Sequence, residues 1–186
     1  MRRIQIALAS GLAVSAAASA QVINENFDSV SAGTLPSGWL DDTVAGGVMT
    51  PWTTVSTAAN SAPNSVFTND PASVSDRTLT MPSFSSLGTV TVDFWSSYIT
   101  ENTFDGWVLE VSLNGGAYAN VGDAAWVLAG YNNTISTVYQ SPIGGQRAFS
   151  GSAAAWTRHI ATIPTGIGDN VSLRFRMASD NSVAST

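Results

Sequence analysis

The sequence predicts an all-β protein, an antiparallel β-sandwich or jelly roll. Short runs of alternating apolar and polar residues recur along the chain, and clusters of Gly, Pro, Asn, Asp and Ser divide them. Beyond residue 20 no stretch carries the i, i+3, i+4, i+7 apolar spacing of a capped amphipathic helix. The 186 residues are enough for one domain with a sizeable core.

The chain opens on MRRIQIALASGLAVSAAASA: two arginines, an apolar stretch from Ile4 to Val14, and the small tripeptide Ala18-Ser19-Ala20. That order predicts a secretory signal peptide over residues 1–20, cleaved after Ala20. Its apolar part is shorter than the roughly 20 residues that a membrane-spanning helix requires, and no later segment reaches that length. The expectation is a secreted or cell-surface protein with no transmembrane segment, whose residues 21–186 form a single domain.

Gln21 to Phe27 (QVINENF) reads as an opening strand, followed by candidates at Thr50–Ser56 and Ser65–Asn69. Arg77–Phe84 and Gly88–Ile99 come next, joined by Ser85-Ser86-Leu87. In the second of these, Val90, Val92 and Phe94 share one face, so Phe94 should point inward and Trp95 outward. Trp107–Leu113 repeats the period of two, with Trp107, Leu109 and Val111 on one side and Val108, Glu110 and Ser112 on the other. Asn114-Gly115 predicts a type I′ turn, which needs positive φ at both central residues, and so an antiparallel pairing with Ala117–Val121. After a long connection, Gly122 to Ser150, two further strands are expected at Ala155–Ile163 and Asn170–Ala178, with a turn at Pro164–Gly168. The last strand alternates Val171, Leu173, Phe175 and Met177 against Ser172, Arg174 and Arg176.

Composition narrows the function. Beyond residue 20 there are five arginines, thirteen acids and no lysine, a net charge of about −8. Nucleic acid and anionic lipid both demand clustered positive charge, so neither is an expected partner. The absence of cysteine excludes disulfides, thiolate metal sites and a cysteine nucleophile.

No catalytic constellation stands out. His159 is the sole histidine, expected at a surface or edge of its strand, and no G-x-S-x-G elbow occurs. Glu101, Asp105 and Glu110 lie within ten positions, where two carboxyls could serve glycoside hydrolysis. The simpler reading makes Glu101 and Asp105 polar loop residues and Glu110 the solvent face of a half-buried strand; ion or ligand binding by Glu101 and Asp105 is the remaining alternative. Calcium takes six to eight oxygen ligands, and oxygen-rich runs occur at Asn24–Asp28, Asp41-Asp42 and Asn69-Asp70, none with a fixed loop spacing. Among the six tryptophans, Trp126 in the long connection is the candidate for an exposed ligand-stacking ring.

Taken in order, ENFDSVSAGTLPSGW, SVFTND, LTMPSFSSLGTVTVDFWSSYITENTFDGWVLEVSLNGGAY, GGQRAFSGSAAAWTRHIATI and VSLRFRMASDNS resemble the MAM-like jelly-roll modules of secreted bacterial proteins. These include modules of choice-of-anchor surface proteins, cleaved adhesins of gingipain-type proteases, and modules attached to immune-inhibitor-A-like metallopeptidases. The resemblance spans residues 21–182 and implies a concanavalin-like or galactose-binding-like sandwich. It further implies a non-catalytic extracellular module that binds a carbohydrate or protein, or else an accessory domain of a secreted peptidase or glycoside hydrolase whose catalytic part lies outside this chain. Calcium near the start of the domain is also implied, which maps onto Glu25 and Asp28. The family's closing strand, Gly-Trp-x-(Ile/Val)-Asp-Asp-(Ile/Val), has no counterpart before Thr186, so the domain is expected to be incomplete at its C-terminal end.

Overall fold

A computed structural model describes residues 23–184. The signal-peptide expectation, Gln21-Val22 of the expected opening strand, and the final two residues fall outside them. Regular structure consists of strands β1 (Leu40–Ala45), β2 (Thr53–Val55), β3 (Ser65–Phe67), β4 (Ser75–Thr80), β5 (Phe84–Leu87), β6 (Val90–Ile99), β7 (Gly106–Leu113), β8 (Ala119–Asn120), β9 (Trp126–Leu128), β10 (Asn133–Thr134), β11 (Arg147–Ala148), β12 (Ser152–Ile163) and β13 (Ile167–Ser179). Among the described residues the one helical element is a single 3-10 turn, Asp123–Ala125. The all-β expectation holds, and every pairing is antiparallel.

Two sheets make the body of the molecule. The larger runs β1-β4-β13-β7-β8, with β5 also paired to β13; the smaller runs β6-β12-β9. Their facing sides interdigitate, as alternation on both predicts. Leu109, Val171 and Leu173 from the larger sheet meet Val92, Ala161 and Ile163 from the smaller, while Trp107 and Met177 pack with Ile135, Ile143 and Phe149. Phe94 borders both groups, with edge-on contacts to Trp107, Trp126 and Phe175. Trp95, on the other face, is 46% exposed. Each fully buried Leu, Ile or Phe side chain here is worth about 1.5–3 kcal/mol of transfer free energy.

The Asn114-Gly115 turn forms as expected: both residues have positive φ (54° and 75°), and the Gly116 N–H donates to the Leu113 carbonyl at 2.9 Å. The returning strand is short, pairing Val111 with Ala119 and Glu110 with Asn120.

Three expectations need correction. The described part of the opening strand, Ile23–Phe27, is not a strand; its side chains take the backbone donors instead, Glu25 Oε1 accepting from Phe27 N–H and Asn26 Oδ1 from Asp28 N–H. Ser85-Ser86-Leu87 belongs to β5 and pairs with β13, so the reversal comes at Gly88. The long connection Gly122 to Ser150 carries three short strands, β9, β10 and β11.

Candidate functional site

Glu101 and Asp105 flank the loop between β6 and β7, and the loop's own turn brings them together. The Asp105 N–H donates to the Glu101 carbonyl at 3.0 Å, a one-turn closure over four residues, with Thr103 in the left-handed region at φ 68°. Ser150 fastens this turn from the segment before β12: its hydroxyl donates to the Asp105 carbonyl at 2.6 Å and accepts from the Thr103 N–H at 2.8 Å. Gly106 permits the approach, because a Cβ there would lie 2.4 Å from the Phe149 carbonyl oxygen.

The third member arrives from the far end of the chain. Asp180 follows β13, and its N–H donates to Asp105 Oδ1 at 2.6 Å. One carboxylate oxygen from each of Glu101, Asp105 and Asp180 lies within 4.8 Å of the others. Asp105 and Asp180 are 0% and 1% exposed. One oxygen of each is held: Asp105 Oδ1 by the Asp180 N–H and Asp180 Oδ1 by the Ser182 N–H, while the Ser182 hydroxyl lies between Asp180 Oδ1 (3.0 Å) and Glu101 Oε2 (3.2 Å) and shares its one proton between them. The second oxygens, Asp105 Oδ2 and Asp180 Oδ2, are buried with no hydrogen-bond donor. Asp70 closes the group from the loop before β4, accepting the Glu101 N–H at 3.3 Å.

Burial pushes the Asp105 carboxyl up to about 8, and the neighbouring Asp70 and Asp180 charges add to that rise against the lowering effect of the Asp180 N–H. Asp70 can bond to Asp105 only through a shared proton, which is why it favours the neutral form. Such a set of hard, crowded oxygens suits a cation.

The other sequence candidates separate from this group. Glu110 is not on a solvent face: it is 3% exposed, and Arg174 Nε and Arg176 Nη1 donate to it at 2.5 and 3.1 Å. Arg176 also binds Asp76 through Nε and Nη2, at 2.8 and 2.6 Å. Trp126 is not an exposed platform either; it is half-buried, with its ring edge-on to Phe94, Tyr131 and Phe149. His159, expected at the surface, is 2% exposed, stacked on Phe94, with Nδ1 against the Ala129 carbonyl at 2.6 Å. Burial holds its pKa below the usual value. Glu25 and Asp28 serve the opening turn, Asp28 Oδ1 accepting the Asn64 N–H at 3.0 Å.

A cleft of about 1360 Å³ runs along β6. Trp52, Phe84, Phe94 and Tyr98 give it an apolar floor, and Asn64 and Asn69 supply amides. Trp95, Trp156 and the Asp93–Arg158 ion pair stand at its β6–β12 border. Asp70 and Thr100 line it as well, so the carboxylate cluster adjoins it. The indole Nε1 of Trp52 is buried without a hydrogen-bond partner. β6 ends the smaller sheet, so among the described residues its outer edge carries no strand.

Sequence reasoning named Glu101 and Asp105 but missed Asp180 and the cleft. The only local signal for Asp180 was an acid directly after a buried strand. No helix among the described residues is long and apolar enough to cross a membrane. Comparison with known protein families, with curated proteins and with solved structures returns no match.

Proposed function

We propose that the protein is a non-catalytic, exported binding module that holds an oligosaccharide in the cleft along β6. The observation that carries this reading is one large concave site that combines aromatic side chains with amide groups: Trp52 and Tyr98 line it, Trp95 lines it from the other face of β6, and Asn64 and Asn69 line it as well. Sugars present apolar C–H faces and rims of hydroxyls, which such a lining matches. The unpartnered Trp52 Nε1 adds a donor. Two of the groups a hydrolase could recruit are engaged elsewhere: Glu110 by two arginines, His159 within the core. The ordered resemblance to MAM-like jelly-roll modules supports the same class.

Glycan-array screening of the purified protein, followed by calorimetry, tests this. Saturable binding to one glycan class, weakened about tenfold or more by Trp52→Ala or Trp95→Ala, is expected, on the scale of about 1–3 kcal/mol for one lost ring contact. Absence of binding across the array removes the oligosaccharide.

The open edge of β6 favours one second reading, an extended peptide added as a strand with alternate apolar side chains in the cleft. Peptide-library binding that survives Trp95→Ala, without any glycan binding, selects it.

A further inference from the structure

We propose that Glu101, Asp105 and Asp180 form a calcium site that ties the β6–β7 loop to the segment following β13. This inference is independent of what the cleft binds. Its first support is the buried Asp180 Oδ2, an oxygen of one of the cluster's carboxylates, which has no hydrogen-bond partner. A buried carboxylate oxygen with no partner is among the costlier arrangements in a folded protein.

The second support is the distribution of positive charge. The chain has no lysine, and all five arginines beyond residue 20 are in ion pairs elsewhere: Arg77 with Asp41, Arg147 with Asp123, Arg158 with Asp93, Arg174 with Glu110, and Arg176 with Asp76 and Glu110. His159 lies in the core against Phe94 and Ala129. Among the described residues no arginine or histidine is left over for Glu101, Asp105 and Asp180, which leaves a cation from solution as their counter-charge.

The donor set selects the ion. Three carboxylates with no histidine or cysteine among them disfavour zinc. The ligand oxygens lie within 4.8 Å of one another, close enough to share one hard cation, and calcium accepts several carboxylates in a flexible sphere, whereas magnesium demands near-ideal octahedral geometry and keeps several waters. The hydrogen bonds from Asp180 N–H and Ser182 fix one oxygen of each carboxylate and orient the other.

Calorimetric titration of the metal-free protein with CaCl2, together with melting curves in EDTA and in calcium, tests the proposal. One calcium per chain and a Tm raised by several degrees are expected, with magnesium giving a clearly smaller shift at equal concentration. Asp180→Asn should melt cooperatively and lose the calcium-dependent increment. Glu101→Gln, at a half-exposed position, should weaken calcium by about 10–100-fold. No heat and no Tm shift at millimolar calcium would overturn the site, and an equal response to magnesium would overturn its assignment. Calcium binding that survives Asp180→Asn but is lost in Glu25→Gln/Asp28→Asn would place the ion at the opening turn and also refute the proposal.

Discussion

Two groups of acids flank β13, and the protein treats them in opposite ways. Along the strand, Glu110 and Asp76 are buried beneath Arg174 and Arg176 with ionic hydrogen bonds at 2.5 to 3.1 Å. Past the end of the same strand, Asp105 and Asp180 are just as deeply buried and meet Glu101, and among the described residues no arginine is ion-paired to any of the three. The first group is neutralised within the fold. The second has no ion pair among the described residues, and under the proposal above a cation from solution supplies its counter-charge.

The contrast can be broken at its strongest point. Arg176→Ala strips Asp76 of its ion-pair partner and Glu110 of one donor, and should cost about 3–5 kcal/mol in urea denaturation. Joint replacement Asp76→Leu/Arg176→Met should cost far less, because it leaves fewer uncompensated charges. A loss under about 1 kcal/mol for the single change would show that the buried pairs are not what holds this face.

At the unpaired cluster the sign should reverse. In EDTA, Asp105→Asn should raise Tm rather than lower it, since it removes a desolvated acid and keeps an acceptor for the Asp180 N–H. In calcium the same variant should lie below the parent protein. Melting curves under the two conditions would show the crossing, and a fall in both would refute the contrast.

The same carboxyl makes stability depend on pH. The folded Asp105 carboxyl, near 8, holds its proton more tightly than the unfolded one, near 3.8. Between about pH 4 and 8 the folded state therefore binds more protons, and metal-free stability should fall as pH rises through that window. His159 acts oppositely: its folded pKa lies below 6.5, so it costs stability as pH falls below that value. Comparing the parent with Asp105→Asn isolates the carboxyl contribution, and calcium should flatten it by displacing the proton. The smallest effect belongs to the exposed Asp93–Arg158 pair, where Arg158→Ala should leave Tm unchanged within error.

What could be read ahead of the structure was whatever depends on neighbours in sequence. The alternation of Val90, Val92 and Phe94, the Asn114-Gly115 turn and the two-faced pattern of β13 all have local causes, and all formed. β1 was missed because Leu40–Ala45 is mostly exposed and contains Asp41-Asp42, so no apolar alternation marks it. Glu110 was placed on the correct side of its strand but in the wrong medium: its partners Arg174 and Arg176 are more than sixty residues away. Asp180 stands 75 positions from Asp105, and only the course of β13 between β4 and β7 brings them together. Convergence of that kind leaves no spacing to recognise.

The clamp at Asp180 also sets how the molecule answers a pull. β13 is hydrogen-bonded along both flanks, to β4 and β5 on one side and to β7 on the other. Tension applied beyond Asp180 therefore meets the strand lengthwise, in shear, where ladders on both sides must rupture together rather than peel one bond at a time. An ion bridging Asp180 to Asp105 would pass part of that tension directly into the β6–β7 loop, and mechanical strength would then vary with calcium in the surrounding fluid.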